Sequence, residues 1–339
     1  PDLVDDGDGA VKHPYSGLPD QQFWKNDPGV KNAAALDPVG EAPFRISPTD
    51  RIVTAGSCFA QHVARFMSQS GYNHYIAEPA HHVVSAPVAA AHHYGLFSAR
   101  YGNVYTARQL HQLLLRAYGL FTPREMSWPA RKGDGVVDPF RPQIQPGNFR
   151  SEAELAHDRA HHFAAIRDAS ETMVVFVFTL GLTEGWADRR DGAVFPLAPG
   201  VAGGIFDPET VDFVNFDEDE TFADLAAALD FIREKNPKVR IVLTVSPVPL
   251  NATYEPRHVL VSTAWSKAVL RIAAEKAVRH FDDCAYFPSY EIITSPHVRG
   301  AYFAQDCREV LQAGVDHVMR LFMTHYGDAE AAPAPPPAA

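Results

Sequence analysis

Two runs of apolar residues constrain the fold of this chain more than any other feature of its sequence. Residues 172–180 (TMVVFVFTL) and 239–245 (VRIVLTV) are nearly continuous in β-branched, aromatic and other apolar side chains. Such runs are typical of strands that are buried on both faces of a parallel sheet. A helical pattern at 221–234 separates them and ends at Asn236-Pro237. The sequence therefore predicts an α/β fold with a mainly parallel sheet covered by helices on both faces.

Shorter patterns predict the elements around these strands. Residues 51–55 are expected to form a strand that leads at once into a helix ending near residue 70. Further along the chain the patterns predict a helix in the later part of 258–279, a short strand at 284–287 and a closing helical segment at 306–326. The irregular stretch 78–148 is too long for a simple connection, and we expect it to build the walls of a site.

Composition changes at both ends of the chain suggest three regions. Residues 1–48 are rich in Pro, Gly and Asp, without sustained periodicity, and are predicted to be an arm lying on the domain. Residues 49–326 are predicted to be the folded domain. Residues 327–339 are rich in Ala and Pro, and we expect this tail to be disordered.

Charge and cysteine content exclude several classes of function. The net charge of −11 over 339 residues provides no basic footprint for nucleic acid and disfavours an anionic membrane surface. No apolar run approaches the roughly 18 residues of a membrane span, and the N-terminus does not resemble a signal peptide. Three cysteines at these spacings predict neither a disulfide framework nor a zinc site. A cytoplasmic location is therefore expected.

The residues Gly56-Ser57-Cys58 stand where the first predicted strand meets its helix. In an open parallel sheet, ligands bind beyond the carboxyl ends of the strands, where a helix N-terminus offers free N–H groups. Such groups stabilise a thiolate or an oxyanion. Two nucleophile-capable side chains at this point indicate a catalytic elbow, although Gly-Ser is also a common turn and N-cap pair.

The pentapeptide GSCFA at 56–60 resembles the GSCFA family, which is related to the SGNH (GDSL-like) hydrolases. The resemblance extends in order over residues 50–325. It includes YGNVYTARQL (101–110), FTLGLTEGW (178–186), TVSPV (244–248), SKAVL (266–270) and YFPSYEI (286–292). It implies a flavodoxin-like three-layer α/β/α sandwich and acyl-transfer or ester-hydrolysis chemistry, and leaves the substrate open.

The resemblance implies a nucleophile at the elbow in one of two alignments. Placing the Gly-Asp-Ser-Leu of the hydrolases on Gly56-Ser57-Cys58-Phe59 makes Cys58 the nucleophile. A shift by one residue makes it Ser57 instead. A thiol ionises more readily than a hydroxyl and depends less on a strong base, which favours Cys58. A cysteine here could also be a small buried apolar residue.

Two further blocks imply groups that hold the oxyanion or the substrate. Gly102 and Asn103 match the second block, where the Gly102 amide is expected to donate to the oxyanion. Gly181, Thr183 and Glu184 match the third block, with the Thr183 hydroxyl in place of the usual side-chain amide and Glu184 in the cleft wall. The alternatives are that Gly102 is an ordinary turn glycine and that Thr183 only ends a strand.

The fourth block departs from the hydrolase pattern. Asp306 is in place, but Glu309 stands where the hydrolases have their catalytic His. Either Glu309 is the base or a histidine reaches in from elsewhere, and His258 is the best candidate because it follows TVSPV. His81, His82 and His297 also lie in predicted loops. No spacing matches a strong metal-ligand motif, so neither a metal nor a cofactor is expected.

Three hypotheses for function follow from these residues. The first is an SGNH-like acyl ester hydrolase that acts through an acyl-enzyme on an acylated saccharide or a small ester. The second is an O-acyltransferase onto a glycan hydroxyl, which shares that intermediate. The third is a catalytically silent binding module, because a missing base lowers the rate by several powers of ten. The expected partner is a small-molecule or glycan ester, with no nucleic acid and no membrane.

Overall fold

The structure is a computed structural model that describes residues 13–328. Its strands are β1 (Ile52–Gly56), β2 (Trp128–Pro129), β3 (Val136–Val137), β4 (Val175–Leu180), β5 (Glu184–Asp188), β6 (Val194–Phe195), β7 (Val211–Asn215), β8 (Arg240–Val245) and β9 (Cys284–Tyr286). Its helices are α1 (Ala60–Gln69), α2 (Ala86–Ala91), α3 (Ala107–Ala117), α4 (Glu152–Thr172), α5 (Glu218–Lys235), α6 (Val259–His280), α7 (Ser289–Thr294) and α8 (Gln312–Tyr326).

The central sheet consists of four parallel strands in the order β1-β4-β8-β9. Beyond β1 the chain adds one parallel bridge, in which Ile52 pairs with His74. Counting that bridge as a minimal second strand gives the order 2-1-3-4-5 of a flavodoxin-like sheet. The order reverses between β1 and β4, so their carboxyl ends form the crevice in which such sheets bind ligands.

Alternating side chains of the sheet pack into two cores. Phe176, Phe178 and Leu180 of β4 join the core that includes apolar side chains of α3, α4, α5 and α6. Val175 and Val177 join the core on the opposite face, which α1, α7 and α8 cover. The protein is therefore a three-layer α/β/α sandwich, and the predicted fold class is confirmed.

Several predicted boundaries differ from those observed. The strand expected at 172–180 begins at Val175, because α4 runs to Thr172 and the Thr172 hydroxyl donates within that helix to the Asp168 carbonyl. The helix expected at 221–234 is longer, since an Asp217 capping box starts it one turn earlier. In the segment 306–326 only α8 is helical, and the residues before it form a loop.

Two long helices were not expected from the sequence. α3 lies inside the stretch predicted to be irregular and begins with a capping box between Thr106 and Gln109. α4 lacks a clear apolar stripe because its buried face includes Arg159 and His162, which belong to a buried charge cluster. Their polar side chains conceal the helical periodicity. The three-stranded antiparallel sheet β6-β5-β7, inserted after β4, was not expected either.

The described part of the N-terminal arm lies against the last helix. The backbone N–H of Ile46 donates to Tyr326, and His317 in α8 hydrogen-bonds the Leu36 carbonyl at 2.8 Å. His317 is thus buried by the arm. The first twelve residues and residues 329–339, where a disordered tail was predicted, lie outside the described residues. Between residues 13 and 328, no helix has the length and apolar character needed to cross a membrane.

Candidate active site

The elbow at the end of β1 requires glycine at position 56. Gly56 has a φ of 137°, and a Cβ on it would lie 2.3 Å from the carbonyl oxygen of Thr179 on β4. The next residue, Ser57, donates its N–H to the same oxygen at 3.2 Å. The chain therefore leaves the sheet in close contact with β4 and turns at once into α1, which begins at Ala60.

The two nucleophile candidates differ in burial. Ser57 is only 3% exposed, and its hydroxyl oxygen has no hydrogen-bond partner among residues 13–328. Its Cβ faces Gly181, since a Cβ added there would lie 3.0 Å from it. Cys58 is a half-buried free cysteine, so part of this residue is exposed to solvent. This difference favours the thiol as the group that a substrate can reach.

A buried lysine lies beside the elbow. Lys267 of α6 is 1% exposed, and its Nζ donates a hydrogen bond of 2.6 Å to the carbonyl oxygen of Gly181, directly after β4. Burial lowers the pKa of Lys267 to about 7; a Cys58 thiolate opposes this shift and the Arg308 charge adds to it. At neutral pH a large fraction of Lys267 is therefore an uncharged amine with a free lone pair.

The loop 101–105 closes the other side of the elbow. Its Val104 N–H donates to the Gly56 carbonyl at 2.8 Å, and its Tyr105 carbonyl accepts the Gly181 N–H at 3.0 Å. Burial, with a further contribution from a Cys58 thiolate, raises the pKa of Tyr105 above its ordinary value. Tyr105 is thus a neutral, protonated phenol next to the thiol.

Two backbone donors at this point have no acceptor within the described chain. They are the backbone N–H groups of Cys58 and Gly102. Gly102 has a φ of 68° with open space where a Cβ would be, and the neighbouring Asn103 has an enclosed Oδ1 without a partner. Free N–H groups beside a nucleophile are the elements of an oxyanion hole.

A cleft begins at this loop. Gly102, Asn103, Tyr105 and Gln61 line the end next to the elbow. The lining also includes apolar Phe97, Phe140, Ile144, Pro196 and Leu197 and polar His93, Arg141 and Gln143. Most of these residues come from the stretch 78–148, which is predicted to form the walls of a site.

Two of the predicted oxyanion or wall residues serve to anchor neighbouring segments. The Thr183 hydroxyl donates to Asn215 Oδ1 at 2.7 Å, and the Thr183 N–H donates to the Ser266 hydroxyl at 3.1 Å. Glu184 accepts hydrogen bonds from the Thr253 hydroxyl at 2.6 Å and from a neighbouring backbone N–H. The Thr183 hydroxyl proton is therefore already engaged, with Asn215 as its nearest acceptor. The Gly181 N–H is also engaged, by Tyr105.

The predicted histidine base is not joined to the elbow. His258 is exposed and caps the first turn of α6, with its Nδ1 accepting the Leu260 N–H at 3.1 Å. It makes no hydrogen bond with Cys58 or Lys267 in the described chain. His81 and His82 stack on each other at the surface, and His297 packs on Trp24. No group of three His, Cys, Asp or Glu residues within 13–328 is arranged to hold a metal ion.

No hydrogen bond joins Asp306 or Glu309 to the thiol in the described chain. Both side chains are exposed, and the Asp306 carboxylate accepts the backbone N–H groups of Arg308 at 3.0 Å and Glu309 at 2.9 Å. Asp306 thus stabilises a turn, as Asp commonly does in loops. The residue that this loop presents to the elbow is Arg308, whose charge acts on both Lys267 and Tyr105.

Comparison with known proteins agrees with the motif at the elbow. The model of the GSCFA family matches residues 51–322. The chain belongs to the GSCFA family. None of the curated proteins compared with this GSCFA protein matches it. Among solved structures it is similar to the Clostridium thermocellum family 3 carbohydrate esterase, with 10% identity, a TM-score of 0.28 and coverage of 81% of this chain and 94% of that chain.

The sequence contains a pattern that indicates burial of Lys267, although the four hydrolase blocks do not include this residue. In this GSCFA protein Lys267 lies in the SKAVL stretch, and Leu270, Ala274 and Ala277 follow it on one helical face. A lysine in an apolar stripe is unusual, because a buried ammonium group needs compensation. The position was therefore detectable as a buried charge, but not its contact with Gly181.

Proposed function

We propose that this GSCFA protein is a cysteine-dependent acyl hydrolase in which Cys58 is the nucleophile and Lys267 the general base. The observation that carries the proposal is a buried lysine with a pKa of about 7 beside a half-exposed thiol. An uncharged amine at neutral pH can accept a thiol proton, and catalytic bases are usually tuned near the working pH. Lys267 thus takes the role that the expected histidine would have had.

The acylation step follows from these roles. Lys267 Nζ removes the Cys58 thiol proton, and the thiolate sulfur forms a bond to the ester carbonyl carbon while the C=O electron pair moves to oxygen. The free N–H groups of Cys58 and Gly102 are suited to stabilise this oxyanion. Collapse of the tetrahedral intermediate breaks the bond to the leaving alkoxide, which takes the proton from the Lys267 ammonium group. The product of this step is a thioester on Cys58.

Deacylation uses the same groups. Water attacks the thioester carbonyl as it loses a proton to neutral Lys267. The second tetrahedral intermediate breaks its C–S bond and releases the carboxylic acid, and the Cys58 thiolate recovers the proton from Lys267. If a glycan hydroxyl replaced the water, the same steps would transfer the acyl group.

The apolar residues that line the cleft support an acylated saccharide or a small ester as the substrate. A cytoplasmic location, which would keep the thiol reduced, is part of the proposal.

The test is an assay of p-nitrophenyl esters and acetylated sugars with the wild type and three variants. Cys58→Ala is expected to lower kcat by at least about 10³-fold, because it removes the bond-forming atom. Ser57→Ala is expected to have little effect. Cys307→Ala removes an exposed thiol and is the matched control. Mass spectrometry of the quenched reaction should find the acyl group on the Cys58 peptide.

Each other outcome would contradict part of the proposal. Loss of activity in Ser57→Ala but not in Cys58→Ala would make Ser57 the nucleophile. Acylated acceptor instead of free acid would show transfer rather than hydrolysis. If no ester were turned over and Cys58 reacted with iodoacetamide no faster than the exposed Cys307, the binding-module hypothesis would replace the enzyme.

A further inference from the structure

The loop before α8 holds Arg308 in a defined place. Phe303 and Val310 form an antiparallel bridge at the base of this hairpin, and the Asp306 carboxylate binds two backbone N–H groups at its tip. The side chains of Asp306 and Glu309 are exposed, whereas Arg308 is half-buried and its Nε is enclosed. The hairpin therefore directs a single cationic side chain inward, towards the elbow.

No carboxylate of the described chain forms an ion pair with Arg308. The guanidinium group makes no ion pair and no hydrogen bond within residues 13–328, although Asp306 and Glu309 are its neighbours in sequence. Its charge acts on the neighbouring Asp306 and also on Lys267 and Tyr105, which both respond to Cys58 as well. A partly desolvated cation without an ion-pair partner destabilises the fold. We therefore expect Arg308 to bind a ligand.

The Arg308 Nε is an enclosed donor without a partner among the described residues. Buried polar groups in proteins almost always find a partner, so an enclosed guanidinium nitrogen without one indicates a site that a ligand completes. A guanidinium group binds carboxylates and phosphates through two parallel N–H bonds.

We propose that Arg308 binds an oxyanion of the substrate, a carboxylate or a phosphate, next to the acyl group that Cys58 attacks. This inference rests on the proposed function for the identity of the attacked group. It makes Arg308 a specificity-determining residue, which selects acylated compounds that carry a negative charge close to the scissile bond. The net charge of the whole chain is −11, so the attraction for an anion depends on the local positive charge of Arg308.

A protection experiment tests the inference without requiring turnover. Full-length protein is alkylated with the neutral reagent iodoacetamide in the presence of increasing succinate or inorganic phosphate, at constant ionic strength. Mass spectrometry measures modification of the Cys58 peptide and yields an apparent Kd for protection. The variant is Arg308→Gln. Arg299→Gln is the matched control, because Arg299 is an exposed arginine at the preceding turn.

Saturable protection by at least one anion is expected in the wild type and in Arg299→Gln. In Arg308→Gln the apparent Kd should rise by about tenfold or more, because the charged hydrogen bonds are lost. Protection by succinate alone would identify a carboxylate, and protection by phosphate alone a phosphate. Absence of protection by both anions, or equal protection in Arg308→Gln, would overturn the inference. If Arg308→Gln failed to fold by circular dichroism, Arg308→Lys would serve, with a smaller loss of affinity expected.

Ester kinetics then separate this inference from the proposed function. With p-nitrophenyl acetate and p-nitrophenyl hemisuccinate, Arg308→Gln should reduce kcat/KM for the charged ester at least about tenfold more than for the neutral one. Equal reductions would overturn the specificity role while leaving the hydrolase intact. Anion protection without turnover of either ester would support the anion site and contradict the hydrolase.

Discussion

Lys267 Nζ lies 2.6 Å from the carbonyl oxygen of Gly181, and this contact connects α6 to the carboxyl end of β4. The hydrogen bond satisfies one amine proton of a side chain that is almost completely buried. The Gly181 carbonyl can accept a hydrogen bond from the ammonium group and from the neutral amine alike. It therefore positions Lys267 whether or not the lysine is charged. Gly181 also contacts Ser57, so the lysine, the strand end and the elbow form one unit.

The first prediction concerns the pH dependence of ester hydrolysis. Burial lowers the pKa of Lys267 to about 7, so the amine is protonated below that pH and cannot accept the thiol proton. The wild-type kcat/KM is therefore expected to rise with pH through about 7. Lys267→Met should lower the rate by about 10²–10⁴-fold and remove this limb of the profile. The measurement is kcat/KM between pH 5 and 9, in steps of roughly half a unit around the expected midpoint.

Lys276→Met is the matched control, since Lys276 lies on the same helix but pairs with Asp219 at the surface. Its pH profile should be that of the wild type. A Lys267→Met enzyme with an unchanged rising limb would assign that limb to another group and contradict the role of the lysine.

The second prediction concerns the glycine of the elbow. In Gly56→Ala the new methyl group would lie 2.3 Å from the Thr179 carbonyl oxygen, at a φ of 137° that side chains rarely adopt. We expect the free energy of unfolding to fall by about 3 kcal/mol or more, measured by urea denaturation. Gly95→Ala, with a φ of 75° and no atom within 4 Å of its Cβ, should lose only about 1 kcal/mol. Equal losses of unfolding free energy in the two variants would show that β4 shifts to accommodate the methyl group.

Local patterns in the sequence were sufficient to predict the layers of the fold but not its site. The strands β4 and β8 were predictable because burial on both faces leaves nearly continuous apolar residues, and the elbow was predictable because its motif is contiguous. The Cys58–Lys267 neighbourhood depends on the crossing of α6 over the end of β4. No local pattern encodes that crossing, so the sequence points to His258, Asp306 and Glu309 for the proton transfer and does not indicate that Lys267 lies at the elbow.

Two polar residues that match the hydrolase motif have hydrogen-bond partners other than the elbow. Thr183 stands where a donor is expected, but Asn215 accepts its proton. Asp306 stands where the hydrolases have a catalytic Asp, but its carboxylate stabilises the turn that directs Arg308 inward. Thr and Asp side chains are suited both to catalysis and to structural hydrogen bonds, and the sequence does not show which partner each side chain binds.

The third prediction concerns the buried charge cluster beside α4. Asp138 is 1% exposed; burial disfavours its charge, but the guanidinium groups of Arg141 and Arg159 hold its pKa below the usual range. Asp138→Asn should therefore lower the free energy of unfolding by about 3–5 kcal/mol, because it leaves buried cations uncompensated. Asp212→Asn breaks an exposed pair with Arg189 and should cost less than about 1 kcal/mol. Similar losses in both variants would contradict a buried network.

The last prediction concerns acid stability and rests on His74, which pairs with the edge of the sheet. His74 is buried, and burial lowers its pKa from 6.5 to about 4; its Nε2 hydrogen-bonds the Thr54 hydroxyl at 2.9 Å. The folded protein therefore keeps this imidazole neutral between pH 6.5 and 4, whereas the unfolded chain binds a proton there. This contribution to stability is fully present above about pH 6.5 and is lost as the pH drops towards 4, which lowers the free energy of unfolding by up to about 3 kcal/mol.

His74→Gln retains a hydrogen-bonding side chain that does not titrate. Between pH 6.5 and 4 its free energy of unfolding should therefore fall by up to about 3 kcal/mol less than that of the wild type. His81→Gln, at an exposed position, should decline as the wild type does. Urea denaturation at a series of pH values measures all three proteins, and parallel curves for His74→Gln and the wild type would contradict the assignment of this acid sensitivity to His74.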